Sequence, residues 1–180
     1  MQAKWSSVDG VSVIGITGHA RHGKDTLAQA LMAVRPGAER WALSDAVAVV
    51  ARVYHGMGAR DAWTLQTVGT AMRMIDPSVW LRCVHGAIAD KRPPLAVITG
   101  VRYPDEAQMV RDMGGVIVGI GRASAPALID RDPSHVVESH IDQLLSTADL
   151  VYTAPNVPDA VTLRRTFEDI ARNILDAVRR

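Results

Sequence analysis

Short apolar runs alternate along the chain with segments in which apolar residues recur every three or four positions. The runs are rich in β-branched residues and are bounded by glycine, proline or polar residues, as buried strands are. They cover residues 11–17, 39–43, 95–100, 116–121 and 149–153. We therefore predict five short strands, separated from one another by loops and helices.

The segments between the runs have the spacing of helices with one apolar face. In the first, Leu27, Leu31 and Val34 mark that face, and Pro36 and Gly37 end the helix. Further helices are predicted from Asp45, from Asp61, after Pro77, over 104–113, over 135–148, and through Leu163, Phe167, Ile170, Ile174 and Val178. The last helix could pack on its own domain or on a partner, which leaves a homodimer open. Strands separated by helices predict an α/β fold with a parallel sheet covered on both faces.

Composition narrows the class of protein. With 180 residues, 48% of them apolar, the chain suits one globular domain, and its formal net charge of +1 gives no global basic field for coating a duplex. Cys83 is the single cysteine, so a disulfide framework is excluded. The first residues lack the apolar core of a signal peptide, and no apolar run approaches membrane-spanning length. We expect a soluble cytoplasmic protein without a membrane partner.

Polar and glycine-rich clusters follow four of the predicted strands. They are Gly18–Thr26, Ser44–Asp45, Thr99–Glu106 and Gly121–Arg122. In parallel α/β sheets, ligands bind beyond the carboxyl ends of the strands. The four clusters therefore predict one active site along that edge.

The first cluster, GHARHGKDT, stands between a strand and a helix, as a phosphate-binding loop does. Gly18 and Gly23 permit backbone conformations that turn N–H groups toward a phosphate, and Lys24 adds a full charge at the helix start. The competing interpretation is an accidental glycine turn with a solvated lysine. The predicted contacts to ATP come from Gly18, His19, Ala20, Arg21, His22, Gly23, Lys24, Asp25 and Thr26.

The residue after Lys24 departs from the usual pattern. Aspartate stands where Ser or Thr normally holds Mg²⁺, and Thr26 comes one position later. Each residue advances about 100° around a helix, so Asp25 can face away while Thr26 turns toward the site. Because nucleoside monophosphate kinases also show a G-K-x-T ending, Thr26 is the candidate for Mg²⁺, directly or through water.

Four segments together resemble the deoxynucleoside monophosphate kinases of tailed bacteriophages. They are GKDT (23–26), LQTVGTAMRMIDPSVW (65–80), VITGVRYPDEAQMVRDMGG (97–115) and DPSHVVESHID (132–142). The resemblance spans most of residues 11–156. It implies transfer of the γ-phosphoryl group of ATP, with Mg²⁺, to a deoxynucleoside monophosphate in the host cytoplasm.

The resemblance also implies an architecture. It is a P-loop NTPase three-layer fold with a five-stranded parallel sheet, in one domain over 1–180. A helical segment over about 55–92 would bind the acceptor nucleotide, and a mobile lid over about 122–138 would close over ATP.

Asp45 is placed by the resemblance where similar kinases keep an acidic residue facing the acceptor. It could act through Mg²⁺, as a catalytic and metal-binding residue, or accept a proton from a hydroxyl. The alternative is an N-cap for the helix that follows, because aspartate is well suited to that position.

The segment LQTVGTAMR resembles the part of the family that holds the acceptor. Gln66 could read a base edge, Thr70 could bind sugar or phosphate, and Arg73 could grip the monophosphate as a fork. Trp80 offers a stacking face. The alternatives are that the polar residues form the outer face of an amphipathic helix and that Trp80 belongs to the core.

The segment VITGVRYPDE carries a departure from the family. An acidic residue is common where Gly100 stands, at the end of the third strand. Asp45, Asp105 or Glu106 could supply the outer shell of the metal instead, since Mg²⁺ often binds through few protein groups. Arg102 matches an arginine of the family and could contact phosphate or pair with one of the neighbouring acids.

The predicted lid supplies Arg122 and Arg131 as catalytic arginines for the developing charge. Glu138 matches the family and could hold the closed lid through an arginine, while Asn156 falls where related kinases contact adenine. His135 and His140 lack a third ligand at helical spacing, which argues against zinc.

Two other functions use the same loop. One is a kinase that phosphorylates a hydroxymethylated pyrimidine within phage DNA, so that nucleic acid would be the partner. The near-neutral charge argues mildly against it. The other is a nucleotide-binding module without turnover, which Gly100 in place of an acid keeps open.

Overall fold

The computed structural model describes residues 5–59, 61–122, 136–154 and 159–178, and the backbone alone of 136–138. Its strands are β1 (Ser12–Thr17), β2 (Glu39–Ala42), β3 (Leu95–Val101), β4 (Val116–Arg122) and β5 (Leu150–Ala154). All pair in parallel, in the order β2-β3-β1-β4-β5. The five predicted strands are confirmed, with each boundary within one residue of the prediction.

The helices of the described residues follow the predicted spacing. They are α1 (Lys24–Val34), α2 (Leu43–His55), α3 (Ala62–Ile75), α4 (Val79–Lys91), α5 (Pro104–Asp112), α6 (Val136–Ser146) and α7 (Ala160–Val178). The prediction that Asp45 caps helix α2 is wrong. The helix begins at Leu43 with Ala42 as its cap residue, so Asp45 lies inside the first turn.

Alternating residues of the strands separate two cores. In β1, Ile14 and Ile16 pack with α1 and α7, whereas Val13 packs with residues of α4, α5 and α6. Because successive strand residues point to opposite faces, each face of the sheet receives its own helices. The predicted three-layer α/β fold is confirmed.

Helix α7 packs on its own domain. Phe167, Ile170 and Ile174 are buried in the same core as Leu27 and Leu31 of α1. This contact accounts for the apolar stripe of the last helix, and the homodimer stays a prediction. No helix within the described ranges is long and apolar enough to cross a membrane.

A bulge interrupts the pairing of β1 with β3. Ile16 is level with Thr99, but Thr17 is level with Val101, so Gly100 has no partner in the register. Gly100 has a φ of 77°, in the left-handed region that favours glycine. The strand continues past Gly100 to Val101, and the left-handed backbone at this position favours the glycine that the chain carries there.

Candidate active site

The loop between β1 and α1 requires glycine at both of its ends. Gly18 has a φ of 146°, and a Cβ atom there would lie 2.3 Å from the carbonyl oxygen of Ile120. Gly23 has a φ of 96°, and a Cβ atom there would lie 2.6 Å from Cζ of Phe167. Arg21, between them, also has a positive φ of 65°. The loop is thus a tight turn packed against β4 and α7, which brings its backbone close to whatever binds there.

Lys24 is the first residue of α1, and its side chain folds back over the loop. Its Nζ donates a hydrogen bond of 2.6 Å to the carbonyl oxygen of His19. The ammonium group therefore lies at the helix N-terminus, where the unpaired N–H groups of the first turn also attract anions. Charge and backbone donors converge as phosphate binding requires.

A cleft of about 210 Å³ opens beside the loop. Its residues come from the loop, the first turn of α1, the ends of β4 and β5, and α7: Arg21, His22, Gly23, Lys24, Asp25, Thr26, Arg122, Ala154, Leu163 and Phe167. Cationic side chains and apolar surface thus meet in one cleft, as a nucleotide with charged phosphates and an apolar base requires. Asp25 is exposed and Thr26 is half-buried, and both line the cleft.

A larger groove of about 450 Å³ lies farther along α7, against the end of α1. Its charged residues Glu168 and Arg172 pair with each other, and Arg172 also pairs with Asp169. None of the loop residues lines it. The phosphate-binding loop therefore points to the smaller cleft as the site.

Asp45 belongs to a cluster that joins β2, β3 and α2. Arg40 donates to Thr99 Oγ1 at 3.1 Å and to Asp45 Oδ2 at 3.4 Å. Thr99 is buried, whereas the side chain of Asp45 is 55% exposed. Arg40 was not among the residues that the sequence predicted, because its position early in β2 gives no local sign that its side chain reaches the strand ends.

Arg73 is surrounded by acids and an aromatic ring. Its guanidinium donates to Asp105 at 2.6 Å and to Glu106 at 3.4 Å, and it lies 4.5 Å from the ring centroid of Tyr103. These contacts tie α3 to the start of α5. The carboxylates already compensate the positive charge, so a phosphate at Arg73 would compete with Asp105.

Glu106 is buried, and its two carboxylate oxygens are engaged. Oε2 accepts the backbone N–H groups of Arg102 and Tyr103, and Oε1 faces Arg73. Burial raises the pKa of Glu106 to about 7, although the N–H of Arg102 and the Arg73 guanidinium act in the opposite direction. Glu106 and Asp105 both pair with Arg73, and their side chains are less exposed than that of Asp45. Asp45 is therefore the most accessible of the three carboxylates considered for the metal.

Other predicted substrate contacts lie at the same edge of the sheet or on α3. Gln66 and Thr70 are exposed on α3, and the side chain of Arg102 is half-buried just after β3. The observed contact of Arg102 with an acid runs through its backbone N–H. Their binding roles stay predictions.

The stacking role considered for Trp80 is wrong. The residue is only 4% exposed and packs among Val47, Ala51 and Val68. Its indole N–H donates to the carbonyl oxygen of Gly69 at 3.1 Å, which joins α4 to α3. An indole held in this way supports α3 from behind and offers no face to a base.

Three predicted contacts fall outside what the structure describes. Arg131 and Asn156 lie outside the described residues, and so does the side chain of Glu138. Within the described part of the chain, no group of three or more His, Cys, Asp or Glu residues could hold a metal ion. The metal residues Thr26 and Asp45 stay predictions.

Helix α6 reaches the phosphate-binding loop directly. His19 Nε2 and Asp142 Oδ1 are 2.8 Å apart, and the rings of His19 and His22 meet at a centroid distance of 5.4 Å. On the same helix, His140 packs edge-on against Tyr103. Sequence reasoning assigned Asp142 no role, although it ends the segment DPSHVVESHID, because its partner His19 lies 123 residues away along the chain.

The fold and the loop together define the class. A glycine loop with a folded-back lysine connects the first strand of a 2-3-1-4-5 parallel sheet to its helix. The chain is therefore a P-loop α/β protein, as the sequence predicted.

The sequence is similar to that of a phage kinase over about half of the chain. Over 94 residues, 48% of this chain, the sequence is 34% identical to the deoxynucleoside-5'-monophosphate kinase of Escherichia phage T5. The chain spans 37% of the length of that relative. No family model matches the chain. The predicted resemblance to phage deoxynucleoside monophosphate kinases is confirmed as a likeness over about half of the chain.

Solved structures give more distant likenesses. A candidate kinase from Chloroflexus aurantiacus aligns with a TM-score of 0.48 and 18% identity, over 93% of this chain and 97% of that chain. Shikimate kinase from Acinetobacter baumannii aligns with a TM-score of 0.44 and 15% identity, over 93% of this chain and 91% of that one. At this distance neither likeness carries an inference about function.

Proposed function

We propose that the protein transfers the γ-phosphoryl group of ATP to a deoxynucleoside monophosphate, giving ADP and the diphosphate. The observation that carries the proposal is the loop at 18–26. Its backbone requires glycine at positions 18 and 23, and the side chain of Lys24 folds back over it. The name of the phage T5 relative supports the choice of acceptor.

The loop and the adjoining cleft would bind ATP. Backbone N–H groups of the loop hold the phosphates, and Lys24 exchanges the carbonyl oxygen of His19 for phosphate oxygens. Phe167 and Leu163 offer apolar surface to the rest of the nucleotide, and Arg122 lies in the same cleft to neutralise charge that develops on the transferred group. Arg131 of the predicted lid and Asn156 would complete this side.

The acceptor would bind beyond β2 and β3. Arg40 and Arg102 are the cations that we assign to its phosphate, because the Arg73 guanidinium already donates hydrogen bonds to Asp105 and Glu106. Arg73 then holds the acceptor helix α3 in place, with Gln66 and Thr70 on its exposed side. Asp45 would orient the acceptor, since its carboxylate is exposed at the same edge.

We assign Mg²⁺ to the oxygen donors of Thr26, which lines the cleft beside the loop, and of Asp45, which lies in the first turn of α2. The hydroxyl of Thr26 is half-buried in the cleft and the carboxylate of Asp45 is exposed, and both are the hard oxygen ligands that this ion prefers. Bound there with the phosphates, Mg²⁺ would neutralise negative charge on the nucleotide. Thr26 and Asp45 contribute few ligands, as is usual where substrate phosphates supply the others.

An acceptor panel tests the proposal. The purified protein is supplied with Mg-ATP labelled in the γ-phosphate and with each deoxynucleoside monophosphate, each ribonucleoside monophosphate, or single-stranded DNA that contains hydroxymethylated pyrimidine. We expect label in at least one deoxynucleoside diphosphate. Label that appears only in DNA would contradict the proposal in favour of the DNA kinase. ATP binding without turnover on any acceptor would favour the binding module instead.

A further inference from the structure

We propose that Asp142 is a positioning residue of the phosphate-binding loop and acts through His19. The inference rests on the proposed function, since it concerns how the loop is prepared for ATP. Asp142 lies on α6 and is separated from the loop by more than a hundred residues of chain, yet its carboxylate is 2.8 Å from the His19 ring.

His19 connects this carboxylate to Lys24. An ionised carboxylate only accepts hydrogen bonds, so the His19 ring donates from Nε2 to Asp142 Oδ1. The carbonyl oxygen of the same residue accepts from Lys24 Nζ at 2.6 Å. His19 therefore makes two contacts: its side chain binds Asp142 of α6, and its carbonyl oxygen binds the Lys24 ammonium group.

Helix α6 is a firm support for the tether. Ile141 is 2% exposed and Leu144 is 3% exposed, so residues on both sides of Asp142 are buried against the sheet. Asp142 itself projects from the outer side of the helix. A side chain anchored on a buried helix can add to the packing of Gly18 and Gly23 in fixing the backbone of the loop.

The loop needs such a support at the moment when ATP binds. Lys24 must then leave the His19 carbonyl, which removes one of the contacts that hold the loop. The bond from His19 to Asp142 persists through this exchange, because it uses the side chain and not the carbonyl. It would keep the loop N–H groups pre-organised, and pre-organisation lowers the entropic cost of binding.

The expected effect of Asp142→Ala is weaker nucleotide binding. The His19–Asp142 pair is partly exposed, so we expect about a three- to tenfold rise in the Kd for Mg-ATP. The kcat should fall by a smaller factor, because Lys24 is retained. Asp142→Asn should restore most of the affinity, since its amide oxygen accepts the same hydrogen bond.

A double-mutant cycle isolates the contact. His19→Ala should weaken binding to a similar extent, and the variant with both alanines should be no weaker than the weaker single variant. Gln143→Ala, exposed on the same helix, is the matched control and should bind Mg-ATP like the wild type. Thermal unfolding of each variant separates lost binding from lost folding.

Equilibrium binding of Mg-ATP and phosphoryl transfer are measured on the same 180-residue proteins. If the wild type binds Mg-ATP and Asp142→Ala binds equally well, the inference is overturned while the proposed function stands. If Asp142→Asn fails to recover affinity although it folds, the hydrogen bond is not the cause and the inference is again overturned. If the wild type neither binds Mg-ATP nor transfers phosphate, the proposed function fails.

Discussion

Charged side chains near the strand ends differ in how exposed they are and therefore in how accessible they are to a ligand. Arg73 and Glu106 face each other within a buried network, and this fixes both side chains. Asp45 pairs with Arg40 at the same distance of 3.4 Å, but its side chain is 55% exposed, whereas that of Glu106 is 7% exposed. At the scale of single residues, the first pair is structural and the second is available for ligands.

Glu106 gives a pH-dependent prediction. Its raised pKa means that the folded chain keeps the proton between about pH 4.5 and about 7, where the unfolded chain has released it. The folded state then binds more protons, so the free energy of unfolding falls as pH rises through this window. Glu106→Gln removes this contribution. In chemical denaturation at pH 5, 6, 7 and 8, we expect the wild type to lose stability relative to the variant, by on the order of 2 kcal/mol.

The Glu106→Gln variant also controls for the other titrating groups, because the wild type and the variant share all of them. The difference in unfolding free energy between the two should shrink or change sign from pH 5 to pH 8. A constant difference over the whole range would contradict a buried, protonated Glu106.

At the scale of elements, the bulge in β3 shapes the acceptor side of the site. Gly100 shifts the register so that Thr99 and Val101, and not Thr99 and Gly100, pair with successive residues of β1. Thr99 lies just before the bulge, where Arg40 reaches its hydroxyl, and Arg102 follows just after the strand. The bulge thus lies between Thr99, which holds the Arg40 side chain, and Arg102, and we assign the two arginines to the acceptor.

Gly100→Ala tests whether the bulge requires glycine at this position. The left-handed backbone disfavours a Cβ atom, although the space around the position is open. We expect the variant to lose about 1 kcal/mol of unfolding free energy, measured by denaturant titration. Gly86, which lies within α4 and also has open space, is the matched control. Gly86→Ala should instead gain about 0.5–1 kcal/mol, because alanine favours helix. Equal effects of the two changes would contradict the bulge.

At the scale of the whole molecule, the sheet brings together residues from most of the chain. The loop after β1, Asp45 after β2, Arg102 after β3 and Arg122 at the end of β4 all lie at the carboxyl edge. Helix α6 adds a contact to the loop from the other side of the fold. A parallel order with β1 in the centre makes this convergence possible, because both neighbours of β1 end beside the loop.

The sequence predicted the strands, the helices and the loop because each has a local signal, such as a β-branched run or a glycine spacing. It did not predict the contact of Arg40 with Thr99 or that of His19 with Asp142, whose residues lie 59 and 123 positions apart along the chain. Trp80 was open to two interpretations, since an apolar residue on a helix looks the same whether its ring is buried or faces a ligand. Gly100 looked like a lost acid, because a backbone bulge leaves no mark in sequence beyond the glycine itself.

The most direct test of the account is the transfer of labelled γ-phosphate by the Lys24→Ala variant. The variant is compared with the wild type and with Lys91→Ala, which removes a surface lysine paired with Glu39. With the best deoxynucleoside monophosphate acceptor, we expect Lys24→Ala to lose transfer by about 10²-fold or more while its thermal unfolding stays like that of the wild type. Lys91→Ala should transfer normally. Normal transfer by a folded Lys24→Ala protein would contradict the account.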